Sequence, residues 1–306
     1  MVEPSTTSKQ LRRLVDDWIE ESEGWFVTEA IWRQFNVKTL EGKNTVWQRL
    51  REHRDAGRLK KRGLKWRRVQ RELEDIDIFS EPKFVDLHFP FGLEQYVRMT
   101  EGGLMVISGG KDAGKTAVCL NIAYLNMSDW IVYYFDSESG ATLLKERLLE
   151  IDPNLPNPLP FAVKHCARNF SDAIVPDALN IIDYLDLGSQ FQTVGDEMLS
   201  IVEALGKGVA IVALQKPPPS RTKDGKLIVR DLGYGGLASI HRAQIALSLD
   251  KGKLKLFAAK SRANPKINPI NKTWTFKLVE KGTRFVDIKE NWKEASEEYE
   301  QDEIPF

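Results

Sequence analysis

At residues 109–116 the chain reads Gly109-Gly110-Lys111-Asp112-Ala113-Gly114-Lys115-Thr116. This stretch matches the pattern G-x-x-x-x-G-K-[ST] at every fixed position. An apolar run at residues 104–108 precedes it, and residues 117–125 follow it with the apolar spacing of a helix. A strand, a glycine-rich turn and a helix in this order predict a loop whose backbone N–H groups surround phosphate oxygens at the positive end of the helix.

The same stretch predicts which atoms hold a nucleotide. All eight residues from Gly109 to Thr116 are expected to surround the phosphates of ATP, with Lys115 reaching the β- and γ-phosphates. The hydroxyl of Thr116 is expected to be a ligand of Mg²⁺. The alternative is a glycine-rich turn that contains a lysine by chance, but the flanking strand and helix favour the nucleotide site.

Apolar runs elsewhere in the chain indicate the class of fold. They alternate with helical patterns, which predicts an α/β core with a mostly parallel sheet covered by helices. The runs lie at residues 131–135, 179–182, 209–214, 245–249 and 254–259. A chain of 306 residues has room for this core and one smaller module. The sequence contains no run of eighteen apolar residues, so it predicts no membrane-spanning helix.

Two carboxylates follow strands of the predicted core. Asp183 ends an apolar strand in the form of a Walker B element, and we expect it to hold Mg²⁺ through its water shell. Glu138 follows another strand, and it is our candidate for the group that orients or deprotonates the attacking water. The alternative for a carboxylate at a strand end is helix capping, and we assign that role to Asp136, which ends the same strand.

Beyond these residues, the chain resembles the RecA-like ATPases, most closely the core of DnaB-type replicative helicases and short phage RecA-like proteins. The resemblance spans about residues 91–286 and is carried by residues 101–109, 135–138, 181–185 and 213–215. It implies a DNA-dependent ATPase that uses ATP and Mg²⁺ on single-stranded DNA. Such a protein would act in phage or mobile-element replication or recombination, as a helicase-like translocase or as a recombinase or annealing factor.

The resemblance also implies roles for residues outside the phosphate-binding loop. Gln215, at the end of a central strand, would sense the γ-phosphate and couple it to DNA-binding loops. Lys260 and Arg262 would reach the γ-phosphate held by a neighbouring subunit, so the protein would work as a homo-oligomeric ring or filament. The alternative for this Lys-x-Arg sequence is a solvated basic turn.

A long basic loop follows Gln215. It spans residues 216–236, begins with Lys216, and in the resembling proteins lines a channel that grips single-stranded DNA. Mobile basic side chains suit contacts with a phosphate backbone. The predicted DNA contacts are Arg221, Lys223, Lys226 and Arg230. A surface loop without this role is the alternative.

The first 70 residues predict a small separate α+β domain. Its patterns give a helix, a strand, two further helices and two short strands around Gly63, which is the order of a winged helix. The third helix is predicted to start after a turn near Gly42 and to place Val46, Leu50 and Ala56 inward. Because the stretch from 43 to 68 has eleven Lys or Arg and two acidic residues, duplex DNA is the favoured partner. The predicted contacts are Arg49, Arg51, Lys60, Lys61 and Arg62, and a protein-docking module is the alternative.

Residues 71–90 are predicted to be a linker, residues 91–289 the ATPase core, and residues 290–306 an acidic disordered tail. The tail has seven acidic residues and only Lys293 opposing them. Its last residues are Asp302-Glu303-Ile304-Pro305-Phe306, which resembles the tip of bacterial single-stranded-DNA-binding proteins. The resemblance implies that proteins which recognise that tip also bind this tail. A merely solubilising tail is the alternative.

The remaining composition places the protein in a reducing compartment. The two cysteines, Cys119 and Cys166, have no partner at metal-ligand spacing, and we interpret both as small buried hydrophobes. The N-terminal residues lack the apolar core of a signal peptide, so we expect a cytoplasmic protein. The alternative function, from another class, is a DNA-binding regulator or loader that is switched by ATP and hydrolyses little of it.

Overall fold

The computed structural model describes residues 7–69, 78–185, 193–221, 224–225, 227–228 and 230–291. The chain divides into two compact units, Met1–Ser80 and Glu81–Phe306. The predicted DNA contacts Lys223 and Lys226 and the predicted tip at residues 302–306 lie outside the described residues. Among the residues that are described, no helix has the length and apolar character needed to cross a membrane.

The first unit has three helices and a small antiparallel sheet. The helices are α1 (Ser8–Glu21), α2 (Thr28–Gln34) and α3 (Leu40–Asp55); the strands are β1 (Trp25–Val27), β2 (Leu59–Arg62) and β3 (Lys65–Arg68). The strands lie in the order β1-β3-β2. The predicted order of elements is therefore the observed one. Val15, Ile31, Val46, Leu50 and Trp66 have no exposed surface and form the centre of its core.

The inward face of α3 differs from the prediction. Thr39 caps the helix by accepting a hydrogen bond from the backbone N–H of Gly42 at 3.1 Å, so the helix starts at Leu40 and includes Gly42. Ala56 lies past the last helical residue and is exposed. Its predicted place is taken by His53, which is buried and follows Val46 and Leu50 at helical spacing.

The second unit contains three longer helices and thirteen strands in its described residues. The helices are α4 (Lys115–Asn126), α5 (Gly140–Ile151) and α6 (Val194–Ala204). The strands are β4 (Phe84–Val85), β5 (Met99–Thr100), β6 (Leu104–Gly109), β7 (Val132–Asp136), β8 (Ala162–His165), β9 (Leu179–Leu185), β10 (Val209–Gln215), β11 (Ser220–Arg221), β12 (Leu227–Ile228), β13 (Ile245–Asp250), β14 (Lys253–Ala259), β15 (Thr273–Val279) and β16 (Arg284–Asn291).

Within the described residues, nine of these strands form one sheet in the order β16-β15-β14-β13-β6-β10-β9-β7-β8. The strands from β13 to β8 in this order pair in parallel, and β14, β15 and β16 extend one edge in antiparallel. The predicted class, an α/β core with a mostly parallel sheet, is confirmed, and all six predicted strands are present. Strands β8, β15 and β16 were not predicted.

Strand β6 lies at the centre of this sheet and is buried on both faces. Met105 and Ile107 belong to the same apolar cluster as Val118 of α4. Leu104 and Val106 belong to a second cluster, on the other face, with residues of α6. Because both faces are covered, the end of β6 is held firmly, and the loop that follows it starts from a fixed point.

The second unit begins earlier than the predicted core. Phe84 and Val85 pair with β5, and Leu87 and Phe89 are buried in the main apolar cluster. Residues 81–90, which the sequence pattern places in a linker, therefore belong to this compact unit. Their apolar residues alternate with polar residues and prolines, so the sequence pattern did not predict that Leu87 and Phe89 are buried.

Candidate nucleotide-binding site

The phosphate-binding loop connects the end of β6 at Gly109 to the start of α4 at Lys115. Gly114 precedes the helix with φ = 101°, in the left-handed region that favours glycine. A Cβ atom on Gly114 would lie 3.2 Å from Cδ2 of Leu278, and one on Gly109 would lie 2.6 Å from Cγ of Lys115. Glycine is therefore favoured at position 114 by the left-handed backbone, and at position 109 because a Cβ atom would displace the side chain of Lys115.

The ammonium group of Lys115 is held by neutral oxygens alone. Its Nζ donates to the carbonyl oxygens of Gly109 at 3.2 Å and Gly110 at 3.0 Å, and to Oε1 of Gln215 at 2.8 Å. Burial lowers the pKa of Lys115, and the nearby carboxylates of Asp183 and Glu138 act in the opposite direction. A partly buried cation without a carboxylate in hydrogen-bond contact is suited to bind an anion.

Asp183 lies on β9, two strands away from the loop, at the same end of the sheet. Its side chain is buried, and Oδ2 accepts a hydrogen bond of 2.6 Å from the hydroxyl of Tyr134. Among the described residues, no hydrogen bond within 3.5 Å reaches Oδ1, but the hydroxyl of Thr116 lies close enough to this carboxyl group to lower its pKa. Burial raises the pKa of this carboxyl group, because the interior disfavours its charged form.

These features fit a magnesium ion beside Thr116 and Asp183. The unpartnered Oδ1 atom is a hard oxygen ligand of the kind that Mg²⁺ prefers. In the described part of the chain, no three His, Cys, Asp or Glu side chains form a metal-binding group. Thr116 and Asp183 would supply a hydroxyl and a carboxylate, and phosphate oxygens and water would be further ligands of the kind that Mg²⁺ usually keeps.

A cavity of about 740 Å³ opens over the loop. Its walls come from the loop, the start of α5, the end of β9 and the turn between β15 and β16. The residues that line it are Lys111, Asp112, Gly114, Lys115, Thr116, Ala117, Glu138, Ser139, Leu143, Arg147, Tyr184, Gln215, Leu278, Lys281 and Gly282. Most of the predicted nucleotide-binding residues line this one space, and so do the predicted Glu138 and Gln215.

The two acidic residues at the end of β7 have different positions. Asp136, the last residue of the strand, accepts hydrogen bonds from the backbone N–H groups of Ser139 at 3.0 Å and Gly140 at 2.7 Å, so it binds the start of α5 from outside the N-cap position, which Ser139 occupies. Glu138 is exposed on the cavity wall. Of the two, Glu138 is therefore the carboxylate that a water molecule at the phosphate site can reach.

Lys260 and Arg262 do not line the cavity of their own chain. Leu249 of β13 pairs with Gly109, and Ile245, at the other end of β13, pairs with Ala259. The residues that follow Ala259 therefore lie at the opposite end of the sheet from the phosphate-binding loop. Both residues therefore lie outside the nucleotide cavity of their own chain.

The first basic residue of the long loop is not a surface residue. Lys216 is buried, and its Nζ donates to Oγ of Ser248 at 2.7 Å and to Oδ1 of Asp250 at 2.9 Å. It is therefore part of the core rather than a DNA contact. Arg221 and Arg230 are exposed, as the sequence predicts.

The returning end of this loop is attached beside Gln215. Asp231 accepts hydrogen bonds from the hydroxyl of Ser248 at 2.6 Å and from Nζ of Lys255 at 2.7 Å. The N–H of Tyr234 donates to the carbonyl oxygen of Gln215 at 2.9 Å. Both ends of the loop, at Lys216 and at residues 231–234, are thus fixed to the sheet next to Gln215, whose side chain accepts a hydrogen bond from Lys115.

In the first unit, Arg49 differs from the other predicted DNA contacts. Its guanidinium group binds both carboxylate oxygens of Asp16, at 2.6 and 2.7 Å, and Glu52 at 2.7 Å. These carboxylates raise the pKa of Arg49 further and leave it no free charge for a phosphate. Its role is to join α1 and α3.

The other four predicted contacts of this unit are Arg51, Lys60, Lys61 and Arg62, and all four are exposed. Lys61 and Arg51 lie over the ring of Trp47, at 4.5 and 5.5 Å from its centroid.

Several lining residues were not predicted from the sequence, among them Arg147, Leu278, Lys281 and Gly282. Leu278, Lys281 and Gly282 come from the β15–β16 hairpin, which the apolar pattern does not reveal. Only the return of that hairpin over α4 places them there, through contacts such as the 2.9 Å hydrogen bond from Asn121 Nδ2 to the Thr283 carbonyl oxygen.

No protein-family model matches the chain, and no curated protein matches it. Among solved structures, it is similar to a KaiC-like protein, PH0186, from the hyperthermophilic archaeon Pyrococcus horikoshii OT3, with 16% identity and a TM-score of 0.47 over 69% of this chain and 100% of that one. It is also similar to the RadB recombinase, with 17% identity and a TM-score of 0.42 over 63% of this chain and 92% of that one.

The class of the protein follows from its own topology and site rather than from these two likenesses. A strand, a glycine-rich loop and a helix occupy the centre of a mostly parallel sheet, and a buried carboxylate lies at the same end of that sheet. These features define a P-loop protein of the α/β class.

Proposed function

We propose that the chain is a RecA-like ATPase whose hydrolysis of Mg·ATP depends on DNA. The observation that carries the proposal is a pair of side chains: Lys115, whose hydrogen bonds among the described residues all go to neutral oxygens, and the buried Asp183, whose Oδ1 receives no hydrogen bond within 3.5 Å in that part of the chain. A P-loop that carries a cation and a buried carboxylate suits a magnesium triphosphate. The cation can bind the phosphates, and the carboxylate can bind Mg²⁺.

Each residue of the site has a distinct part in this reaction. Lys115 exchanges its carbonyl partners for phosphate oxygens, and the N–H groups of the loop bind the remaining oxygens. Thr116 and Asp183 would hold Mg²⁺, which would supply positive charge to balance that of the phosphates. Glu138 orients the attacking water and accepts its proton, since its carboxylate is exposed on the wall of the same cavity and it follows the strand next to that of Asp183.

The position of Gln215 supports the coupling of hydrolysis to DNA. Its side chain binds Lys115, and its carbonyl oxygen binds Tyr234 at the returning end of the basic loop. A γ-phosphate that draws Lys115 away from Gln215 therefore changes the attachment point of this loop. Arg221 and Arg230 are exposed on the loop and suit contacts with the backbone of single-stranded DNA.

Single-stranded DNA is expected to increase ATP turnover by about fivefold or more, the lower range of typical coupling between sites. The measurement is steady-state phosphate release with and without an oligonucleotide of mixed sequence. Replacing Arg221 and Arg230 together with serine should reduce the stimulated rate towards the basal one, and Lys164→Ala, on the exposed edge strand β8, serves as the matched control. Equal turnover with and without DNA would instead favour an ATP-switched regulator or loader.

Because Lys260 and Arg262 lie at the far end of the sheet, we propose that they complete the site of a neighbouring subunit in a ring or filament. This arrangement is tested by mixing two variants. The Lys115→Ala variant has a defective phosphate-binding loop but keeps Lys260 and Arg262. The Arg262→Ala variant keeps an intact loop but cannot supply Arg262 to a neighbour.

Each of these two variants alone is expected to hydrolyse ATP poorly. An equimolar mixture should recover about a quarter of the wild-type rate. In a head-to-tail assembly with random neighbours, about half of the subunits have an intact loop, and about half of those face a neighbour with an intact Arg262. The readout is phosphate release after the variants are mixed and allowed to exchange. A mixture that only averages the two separate rates rules out action across subunits.

The first unit supports a second contact with nucleic acid. Arg51, Lys60, Lys61 and Arg62 remain exposed on α3 and β2, and we propose that they bind the phosphates of duplex DNA. Arg49 is left out of this proposal because its charge is satisfied by Asp16 and Glu52.

A further inference from the structure

Arg147 is a cation that lines the nucleotide cavity without any signal in the sequence motif. It lies on α5, two turns beyond the start of that helix, and is half-buried. Its side chain extends back towards the start of the helix, where Nη1 donates a hydrogen bond of 3.1 Å to Oγ of Ser139. Ser139 is itself fixed, because its backbone N–H donates to Asp136.

The charge of Arg147 is not balanced by a carboxylate. Within the described residues, none of the ion pairs within 4.0 Å includes this guanidinium group. Lys281, on the same cavity wall, contrasts with it, since it pairs with Glu146 at 3.5 Å and with Glu150 at 3.2 Å. The neutral hydroxyl of Ser139 fixes the direction of Arg147 but does not neutralise it.

We infer that Arg147 is a further phosphate-binding residue, which donates to the phosphate oxygens of the nucleotide triphosphate from the part of the cavity wall that α5 forms. This inference rests on the proposed function. A guanidinium group that has lost part of its water and has no acidic partner gains most from an anionic ligand. Its N–H groups that do not face Ser139 remain for the ligand, and a planar group suits two oxygens at once.

The inference is tested by nucleotide binding to the full chain. Arg147→Met removes the charge and keeps much of the side-chain length, and Arg147→Lys keeps the charge but loses the planar fork. Lys145→Met is the matched control, because Lys145 is exposed on the same helix and does not line the cavity. Dissociation constants for a non-hydrolysable ATP analogue and for ADP, both with Mg²⁺, are measured by calorimetry.

Arg147→Met should weaken binding of the ATP analogue by about tenfold to a hundredfold, as expected for the loss of a hydrogen bond to a charged group. Arg147→Lys should recover part of that loss, and Lys145→Met should stay within about twofold of the wild type. Thermal unfolding without nucleotide should be the same for Arg147→Met and the wild type, which shows that the fold is retained.

Wild-type affinity in Arg147→Met, with a loss of affinity in Lys115→Ala, overturns this inference and leaves the proposed function in place. A wild-type protein that binds neither nucleotide overturns the proposed function itself. If Arg147→Met fails to fold, Arg147→Gln gives the same test, because it also removes the charge and keeps a group that can donate to Ser139; wild-type affinity in that variant overturns the inference.

Discussion

Lys115→Ala is expected to lower ATP turnover by about a hundredfold to a thousandfold, the usual cost of removing one donor that stabilises charge in a transition state. In the structure its ammonium group is held by two carbonyl oxygens and an amide oxygen, all of which a phosphate can replace. The nucleotide affinity should fall as well, because the same group binds the ground state.

Turnover is measured as phosphate release and affinity by calorimetry. Lys164→Ala, which removes a lysine from the exposed edge of the sheet, should behave as the wild type does. If Lys115→Ala kept both its affinity and its turnover, the loop would not be a nucleotide site. The proposals on DNA coupling and on subunit contacts would then lose their basis.

The second large effect is expected at Asp183. Asp183→Asn keeps an oxygen that can accept from Tyr134 but removes the charge that would bind Mg²⁺. Turnover should fall by at least about a hundredfold, and the Mg²⁺ concentration for half-maximal turnover should rise by about tenfold or more.

The stability of the nucleotide-free protein gives an independent readout for this variant. The native carboxylate is buried with one unpartnered oxygen, so replacing it with a neutral amide should leave the free energy of unfolding unchanged or raise it. Asp129→Asn, at an exposed turn after α4, is the control. A large loss of stability in Asp183→Asn, with an unchanged response to Mg²⁺, would assign Asp183 to structure rather than to metal binding.

The sequence predicts those parts of the site that lie next to each other along the chain. The loop at residues 109–116 is a local pattern, and the carboxylates Glu138 and Asp183 each follow a recognisable apolar strand. Because the strands are parallel, their carboxyl ends meet at one edge, and the three segments are brought together as the pattern implies.

The sequence does not reveal which charged residues are buried. Lys216 and Arg49 both lie in basic stretches, and both are bound to carboxylates from distant parts of the chain. Conversely, Arg147 lies in an ordinary amphipathic helix, and only its packing places it in the cavity. A sequence shows which residues are charged, but which residues they pair with depends on the tertiary structure.

The attachment of the basic loop has a consequence for how this protein can be redesigned. Lys216 and Asp231 are both joined to Ser248, so the two ends of residues 217–230 are fastened at one point of the sheet. We therefore expect that the segment between them can be replaced without disturbing the sheet. Loops of other lengths or specificities can be grafted there while the machinery beneath keeps its shape, much as binding loops are varied on a rigid scaffold.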